Sequence, residues 1–340
     1  VNIPVAGADI SALTHFERHG AVYRDARGRE GDAIRILMDA GMNCFRLRLF
    51  VDPDHDGVVV NDLGYTLALA RRIKAAGAKL MLDIHYSDTW ADPSKQFRPK
   101  SWEGMDFDAL CAKVRGYTRE VVTRFAENGA MPDSIQLGNE ITNGMLWPDG
   151  RVEFATPDAD AWDRFAALQN AAYDGLAEAC DGRALPAVIL HIESTGNLPR
   201  TAWFLDEAAK RGVRYDILGL SYYPQWHGTM DELSKTLNFA SEKSGRPVMV
   251  VETAYPWKMT ADWSEGRENL AFPATPQGQN AFAMAVVAAL RNVPQNRGIG
   301  IMWWYPEAVL NPSINVWLGG DCALFSDGGR LLPAAFMRVE

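Results

Sequence analysis

A chain of 340 residues, 47% hydrophobic and 23% charged, can bury a large core unaided, which excludes both a disulfide-stapled miniature domain and a disordered chain. Its net charge of −9 repels polyanions, so no nucleic acid partner is expected. The longest purely apolar run, 281–290, falls well short of the ~20 residues a membrane span needs.

Short apolar or β-branched runs alternate with longer stretches of helical periodicity along the whole chain. The first run, 5–9, leads to a helical pattern at 31–40. The second, 43–50, precedes a helix at 63–76. The third, 79–85, is followed by a long loop at 90–104 and a helix at 106–128. After the fourth, 134–139, come a loop at 143–158 and a helix at 158–180. The fifth, 187–191, pairs with a helix at 201–212, and the sixth, 217–222, with one at 230–244. The seventh, 248–252, opens a loop at 257–277 before a helix at 277–292, and the eighth run is 298–304.

Eight such units predict an α/β fold, a single (β/α)8 TIM barrel over residues 1–340 with elongated βα loops at its C-terminal face. A barrel of this kind needs about 250 residues, leaving roughly 90 for those loops. The open, doubly wound alternative places GxGxxG after its first strand in the dinucleotide-binding version, and Gly7-Ala8-Asp9-Ile10 does not supply it. No Pro-rich linker or low-complexity tract marks a second domain. Cys44, Cys111, Cys180 and Cys322 lie far apart without a CxxC pair, so neither a zinc site nor a disulfide framework is expected. The chain opens at Val1 without a targeting segment, which fits a processed product and leaves export open.

Barrel chemistry gathers where the strands end. Here those ends are polar and aromatic: Arg46 and Arg48 on the second strand, Asp83 and His85 on the third, Asn139-Glu140 on the fourth, and His191 and Glu193 on the fifth. Ser221, Tyr222 and Tyr223 end the sixth, Glu252 the seventh, and Trp303-Trp304-Tyr305 the eighth. Glu140 and Glu252 each close an otherwise uncharged run. One strand-end glutamate is as readily a helix-opening or solvent-facing residue; two converging on one mouth suit a reaction in which one carboxyl protonates a leaving oxygen and the other attacks or activates water. Arg46 and Tyr223 can keep Glu252 ionised and oriented, although an arginine on a barrel strand also serves as a structural ion-pair partner. His85 is by itself more often a hydrogen-bonded core histidine. Flat aromatic rings with a polar edge suit sugars, and of eleven tryptophans Trp90, Trp102, Trp147, Trp226, Trp257, Trp303, Trp304 and Trp317 fall in loops or at strand ends. Strand parity turns either Trp304 or Trp303 inward. No HExxH or phosphate-binding glycine loop appears. Asp262, Glu265, Glu268 and Asn269 offer the oxygens that calcium prefers, yet read as a solvated loop.

Several strings resemble glycoside hydrolase family 53, the endo-β-1,4-galactanases: Gly7-Ala8-Asp9-Ile10-Ser11, Phe45-Arg46-Leu47-Arg48-Leu49, His85-Tyr86-Ser87-Asp88-Thr89-Trp90-Ala91-Asp92-Pro93, Gly138-Asn139-Glu140-Ile141 with Gly144-Met145-Leu146-Trp147-Pro148, Ser221-Tyr222-Tyr223-Pro224 and Val251-Glu252-Thr253-Ala254-Tyr255-Pro256. The resemblance runs in order through Ala323-Leu324-Phe325-Ser326-Asp327 and Leu332-Pro333. It implies a retaining (β/α)8 glycosidase that cuts β-1,4-galactan, the neutral side chain of pectin, internally. Glu140 would be the acid/base, Glu252 the nucleophile, and Asn139 the partner of the sugar 2-hydroxyl. Arg46 and Tyr223 would orient Glu252, while His85 and Trp304 would line the cleavage subsite. With the strand ends, the expected substrate-binding set is Arg46, His85, Asp88, Trp90, Asn139, Glu193, Tyr222, Tyr223, Trp303, Trp304 and Trp317. Glu193 departs from the family's usual aspartate by one methylene. Some bacterial members bind calcium through an Asp- and His-rich loop after strand seven; 257–277 lacks that pattern, so no cofactor and no metal are expected. The other readings are the same chemistry on mannan or glucan, a non-catalytic glycan-binding barrel that would have lost one carboxylate, and a barrel enzyme for phosphorylated metabolites that would carry a phosphate cradle. The expected enzyme is a monomer that is secreted, periplasmic or held at the cell surface.

Overall fold

The computed structural model describes residues 3–337 except Pro157, Asp262, Ser264 and Glu265. Eight parallel strands close into one barrel: β1 Val5–Asp9, β2 Cys44–Leu49, β3 Lys79–Ile84, β4 Ser134–Leu137, β5 Ala187–Ile192, β6 Ile217–Tyr222, β7 Val248–Thr253 and β8 Gly298–Trp304. Each strand pairs with its neighbours in chain order and β1 pairs with β8, so no edge is left open.

The seven connections carry helices α1 Ala33–Asp39, α2 Leu63–Ala75, α3 Phe107–Glu127, α4 Ala159–Cys180, α5 Leu198–Lys210, α6 Met230–Ser244 and α7 Pro276–Arg291. Every one starts at a short polar residue whose side chain accepts a first-turn N–H: Asp32, Asp62, Asp106, Asp158, Asn197, Thr229 and Thr275. Such caps satisfy donors that the helix itself cannot. Asn197 explains why α5 starts ahead of the predicted 201. After β8 the chain forms no long helix within the described residues; 3₁₀ turns at Trp317–Gly320 and Pro333–Phe336 take its place, the latter against α7.

Inside the barrel Cys44, Met81, Ile189, Met249, Val251 and Met302 form an apolar plug. Above it the inward positions become charged or polar, which raises the reactive layer to the C-terminal mouth. Two backbone departures aim that layer. Leu220 pairs with Val250 but Ser221 pairs with Glu252, and Ile301 pairs with Val250 but Trp303 with Thr253. One extra residue in β7 therefore forms a bulge, turning Val251 into the plug and Glu252 into the mouth. Gly219 makes room, because a Cβ there would lie 2.8–3.0 Å from Ile189 and Val251. On the other side β4 stops at Leu137, short of the predicted 139, and the chain turns through Gly138 at φ 111° into Glu140 at φ 48°. A glutamate in the left-handed region is strained, and such strain collects at functional sites.

Candidate active site

Arg46 is the hub of the mouth. It is 1% exposed, and its Nη1 reaches Asp9 Oδ2 at 2.9 Å while Nη2 reaches Asp83 Oδ2 at 2.9 Å and Glu252 Oε1 at 2.8 Å. Nη2 also donates to Asn139 Oδ1 at 2.8 Å and Nε to Gln136 Oε1 at 2.7 Å. Burial works against the guanidinium charge, but Asp83, Glu252 and Asp9 outweigh it and hold Arg46 firmly protonated. Burial likewise works against ionised Asp83, and Arg46 followed by His85 overcomes it, leaving its pKa below the ordinary value. His85 accepts the Ala91 N–H on Nδ1 at 3.1 Å, so its Nε2 carries the proton that faces Asp83 at 3.0 Å.

The two glutamates have opposite surroundings. Glu252 is raised by burial, yet Arg46 opposes that, and the Tyr223 hydroxyl donates to its Oε2 at 2.9 Å. Among the described residues no cation pairs with Glu140: burial first and the charge of Glu252 second push it well above the carboxylate range. Only the Ser221 hydroxyl, donating to Oε1 at 2.6 Å, pulls the other way among its hydrogen bonds. His191 stands behind that serine with Nε2 2.8 Å from Oγ. Burial, then Arg46, depress the imidazole well below its ordinary value, so it is neutral. Because Ser221 spends its proton on Glu140, His191 donates from Nε2 and accepts the Glu140 N–H on Nδ1 at 3.3 Å. The barrel thus holds one carboxyl that favours its proton and one supported as an anion.

Both line a cleft of about 1030 Å³, together with Asp9, Arg46, His85, Trp90, Asn139, Glu193, Tyr223, Trp304 and Trp317. Trp304 sits edge-on to Trp317 with ring centres 4.7 Å apart and to Trp90 at 6.1 Å, which makes an aromatic wall. Glu193 is fixed by Arg200 Nη1 at 2.8 Å.

A profile described as Glycosyl hydrolase family 53 matches residues 5–337. The chain belongs to glycosyl hydrolase family 53. Among its relatives is a Niallia circulans protein from the bgaB 5′ region, 38% identical over 93% of this chain and 86% of that one. The arabinogalactan endo-β-1,4-galactanase of Humicola insolens is 32% identical over 96% of both chains. A solved fungal β-1,4-galactanase superposes with a TM-score of 0.87 at 29% identity, over 99% of this chain and 100% of the other.

Three residues of the expected binding set point away from the cleft of this family 53 barrel. Ser221 faces inward, so alternation turns Tyr222 outward, where its ring stacks on Phe282 of α7 at 5.9 Å and its hydroxyl donates to Gly228 O at 3.0 Å. By the same alternation Met302 joins the plug, Trp303 turns out to donate its indole N–H to Cys322 O at 2.9 Å, and Trp304 turns in. Asp88 staples two loops instead, accepting the Asp52 N–H at 3.0 Å and the Lys100 N–H at 2.9 Å beside a second concavity that contains Phe97 and Trp147. Cleft residues outside the expected set include Asp9, Arg48, Asp92, Trp226, His227 and Tyr305. Alternation from Arg46 identifies Arg48, and Asp92 lies in the family-like string that begins at His85; nothing local identifies His227, which a loop carries into place.

Of the acidic residues read as a solvated loop rather than a calcium site, Asp262 and Glu265 lie outside the described residues. Glu268 is exposed in the 3₁₀ turn Arg267–Asn269, and among the described residues no three His, Cys, Asp or Glu side chains gather as metal ligands. Asp321, fully buried, holds the loop after β7. Its Oδ2 accepts from Thr260 N at 2.9 Å, Ala261 N at 2.9 Å and Trp263 Nε1 at 3.0 Å, and its Oδ1 from the Thr260 hydroxyl at 2.6 Å. Asp321→Ala should lower unfolding free energy by about 2–4 kcal/mol, since it strips acceptors from buried donors. Chemical denaturation checks this, and an unchanged midpoint would contradict it.

Proposed function

We propose that this chain is an endo-β-1,4-galactanase that works by double displacement with retention. The observation that carries the reading is the unequal treatment of two carboxyls in one aromatic-walled cleft, on a chain of this family. Glu252, held by Arg46 and Tyr223, attacks the anomeric carbon as Glu140 protonates the departing glycosidic oxygen. The galactosyl–Glu252 ester is then hydrolysed by a water whose proton Glu140 takes back. Asn139 donates one amide hydrogen to Ala91 O at 2.8 Å, which leaves the other for the sugar 2-hydroxyl. Galactan is a polymer found outside cells, so the enzyme acts there, secreted, periplasmic or surface-bound.

Digestion of linear galactan, mannan and cellulose tests the substrate, with product sizing for internal cleavage and proton NMR for the first anomer formed. Galactan cut internally to β-anomers is expected. Preference for mannan or cellulose overturns the substrate assignment, and α-anomers appearing first overturn retention, which requires carboxyls ~5–5.5 Å apart against ~6.5–9.5 Å for inversion.

Ser221→Ala tests the acid. Without that hydrogen bond the pKa of Glu140 rises, so the alkaline limb of kcat/KM should move to higher pH. A limb that stays in place, or moves down, removes Ser221 from the tuning of the acid.

A further inference from the structure

Arg48 is a charged cleft side chain that the mechanism leaves unused. It follows Arg46 by two positions on β2, faces the same mouth and is 1% exposed. Its Nε and Nη1 make no hydrogen bond of normal geometry among the described residues, Nη2 reaches Val58 O at 3.3 Å, and the Tyr305 hydroxyl beside it, itself without a partner, is near enough to feel its charge. The one carboxylate near it, Asp9, is 3.9 Å away through an oxygen that already accepts the Ser11 N–H and hydroxyl at 3.0 and 2.5 Å. The other Asp9 oxygen is taken by Arg46. Glu307, buried on the same side, does not compensate: burial, then Asp9, push its carboxyl up to about 8, so it is largely protonated at neutral pH. Meanwhile the guanidinium lies 4.3 Å over the Trp90 ring and 5.6 Å from that of Tyr305.

Buried guanidinium groups normally saturate their donors. One that stacks on an aromatic ring, lines an open cleft and keeps donors unused is suited to an acceptor carried by whatever fills the cleft. Glu193 stands close enough to Glu140 to act on its charge, whereas Arg48 stands with Asp9 and Tyr305 where β1, β2 and β8 meet. With Glu140 as the acid on the leaving oxygen, that second side is the one assigned to the retained sugars. An anionic sugar fits poorly, because Asp9, Asp92, Glu193 and Glu252 outnumber Arg46, Arg48 and Lys95 around the cleft.

We propose that Arg48 is a specificity-determining residue that donates to a hydroxyl of the neutral galactosyl chain on the retained side of the cut, an inference that rests on the galactanase reading above. The test uses a fluorogenic aryl β-1,4-galactobioside, its monodeoxy analogues and one analogue carrying a carboxylate at C6 of the outer sugar, with wild type, Arg48→Gln and Arg48→Lys in parallel. Arg48→Gln should lose about 10- to 100-fold in kcat/KM on the parent compound. One deoxy analogue should cost wild type a similar factor and cost Arg48→Gln less than about threefold, because the partner of that hydroxyl has gone. Circular dichroism verifies the fold; should the glutamine variant not fold, Arg48→Lys, which retains charge and packing, takes the same comparison. Activity equal to wild type, or equal losses on every deoxy analogue in both proteins, overturns the proposal. Preference of wild type for the carboxylate analogue over the parent, abolished in Arg48→Gln, also overturns it. Failure of wild type on galactan itself would instead remove the galactanase reading.

Discussion

Glu252→Ala should abolish galactan hydrolysis, a loss on the order of 10⁴-fold or more in kcat, because no other group in the cleft stands ready to attack the anomeric carbon. The fold should survive. Removing Glu252 takes one anion from a cluster in which Asp9, Asp83 and Glu252 share a single guanidinium, so Arg46 keeps two carboxylates and the amides of Asn139 and Gln136. The Tm should equal or exceed that of wild type. Azide separates the roles of the two glutamates. In Glu252→Ala it enters the vacated face, expels an activated aryl leaving group and forms the α-galactosyl azide. In Glu140→Ala the nucleophile persists, aryl substrates that need no protonation still load Glu252, and azide releases the β-galactosyl azide. Near-normal galactan turnover by Glu252→Ala, or a β-azide from it, would exclude Glu252 as the nucleophile.

The barrel was legible because alternation of apolar runs and capped helices is local, and each signal is carried by residues within one turn or one strand. The runs 5–9, 217–222 and 298–304 coincide with β1, β6 and β8. Facing direction was harder to read. Tyr222 and Tyr223, or Trp303 and Trp304, are equivalent by composition, and only the partner of an adjacent residue, Ser221 on Glu140 or Met302 in the plug, decides which ring meets the cleft. The bulge in β7 is less legible still. Strict alternation from Met249 and Val251 would turn Glu252 outward, and the correction comes from register shifts against β6 and β8, which no stretch of a single strand encodes. Asp88 shows a different limit: it lies in a motif of the family yet serves two backbone amides, a task identical in sequence to binding a sugar. The missing final helix follows from the 305–337 segment, where Pro306, Pro312 and Pro333 deny an uninterrupted helical pattern.

Arg46→Met should have the largest effect on stability, about 3–5 kcal/mol, because it leaves Asp9, Asp83 and Glu252 buried without their cation. Its pH dependence identifies the cause. In wild type the pKa of Asp83 is depressed in the fold, so its contribution is present above the unfolded value and is lost as the pH falls through the folded one. Without Arg46, burial, the largest influence on Asp83, is opposed only by the weaker pull of His85 and His191, so its folded pKa rises above the unfolded value and the sign reverses: stability is then lost as the pH rises from the unfolded pKa toward the folded one. The deficit of Arg46→Met should therefore grow between weakly acidic and neutral pH and shrink in acid. Arg46 also opposes the burial that raises Glu252, so the acidic limb of kcat/KM should move to higher pH in the same variant. Arg46→Lys keeps the charge but loses most of the five contacts, and should fall between the two proteins in both respects. Denaturation curves across that pH range decide the matter: a deficit that does not vary with pH would mean that Arg46 supports the barrel by packing alone, and that the ionised state of Glu252 is maintained by something other than this guanidinium.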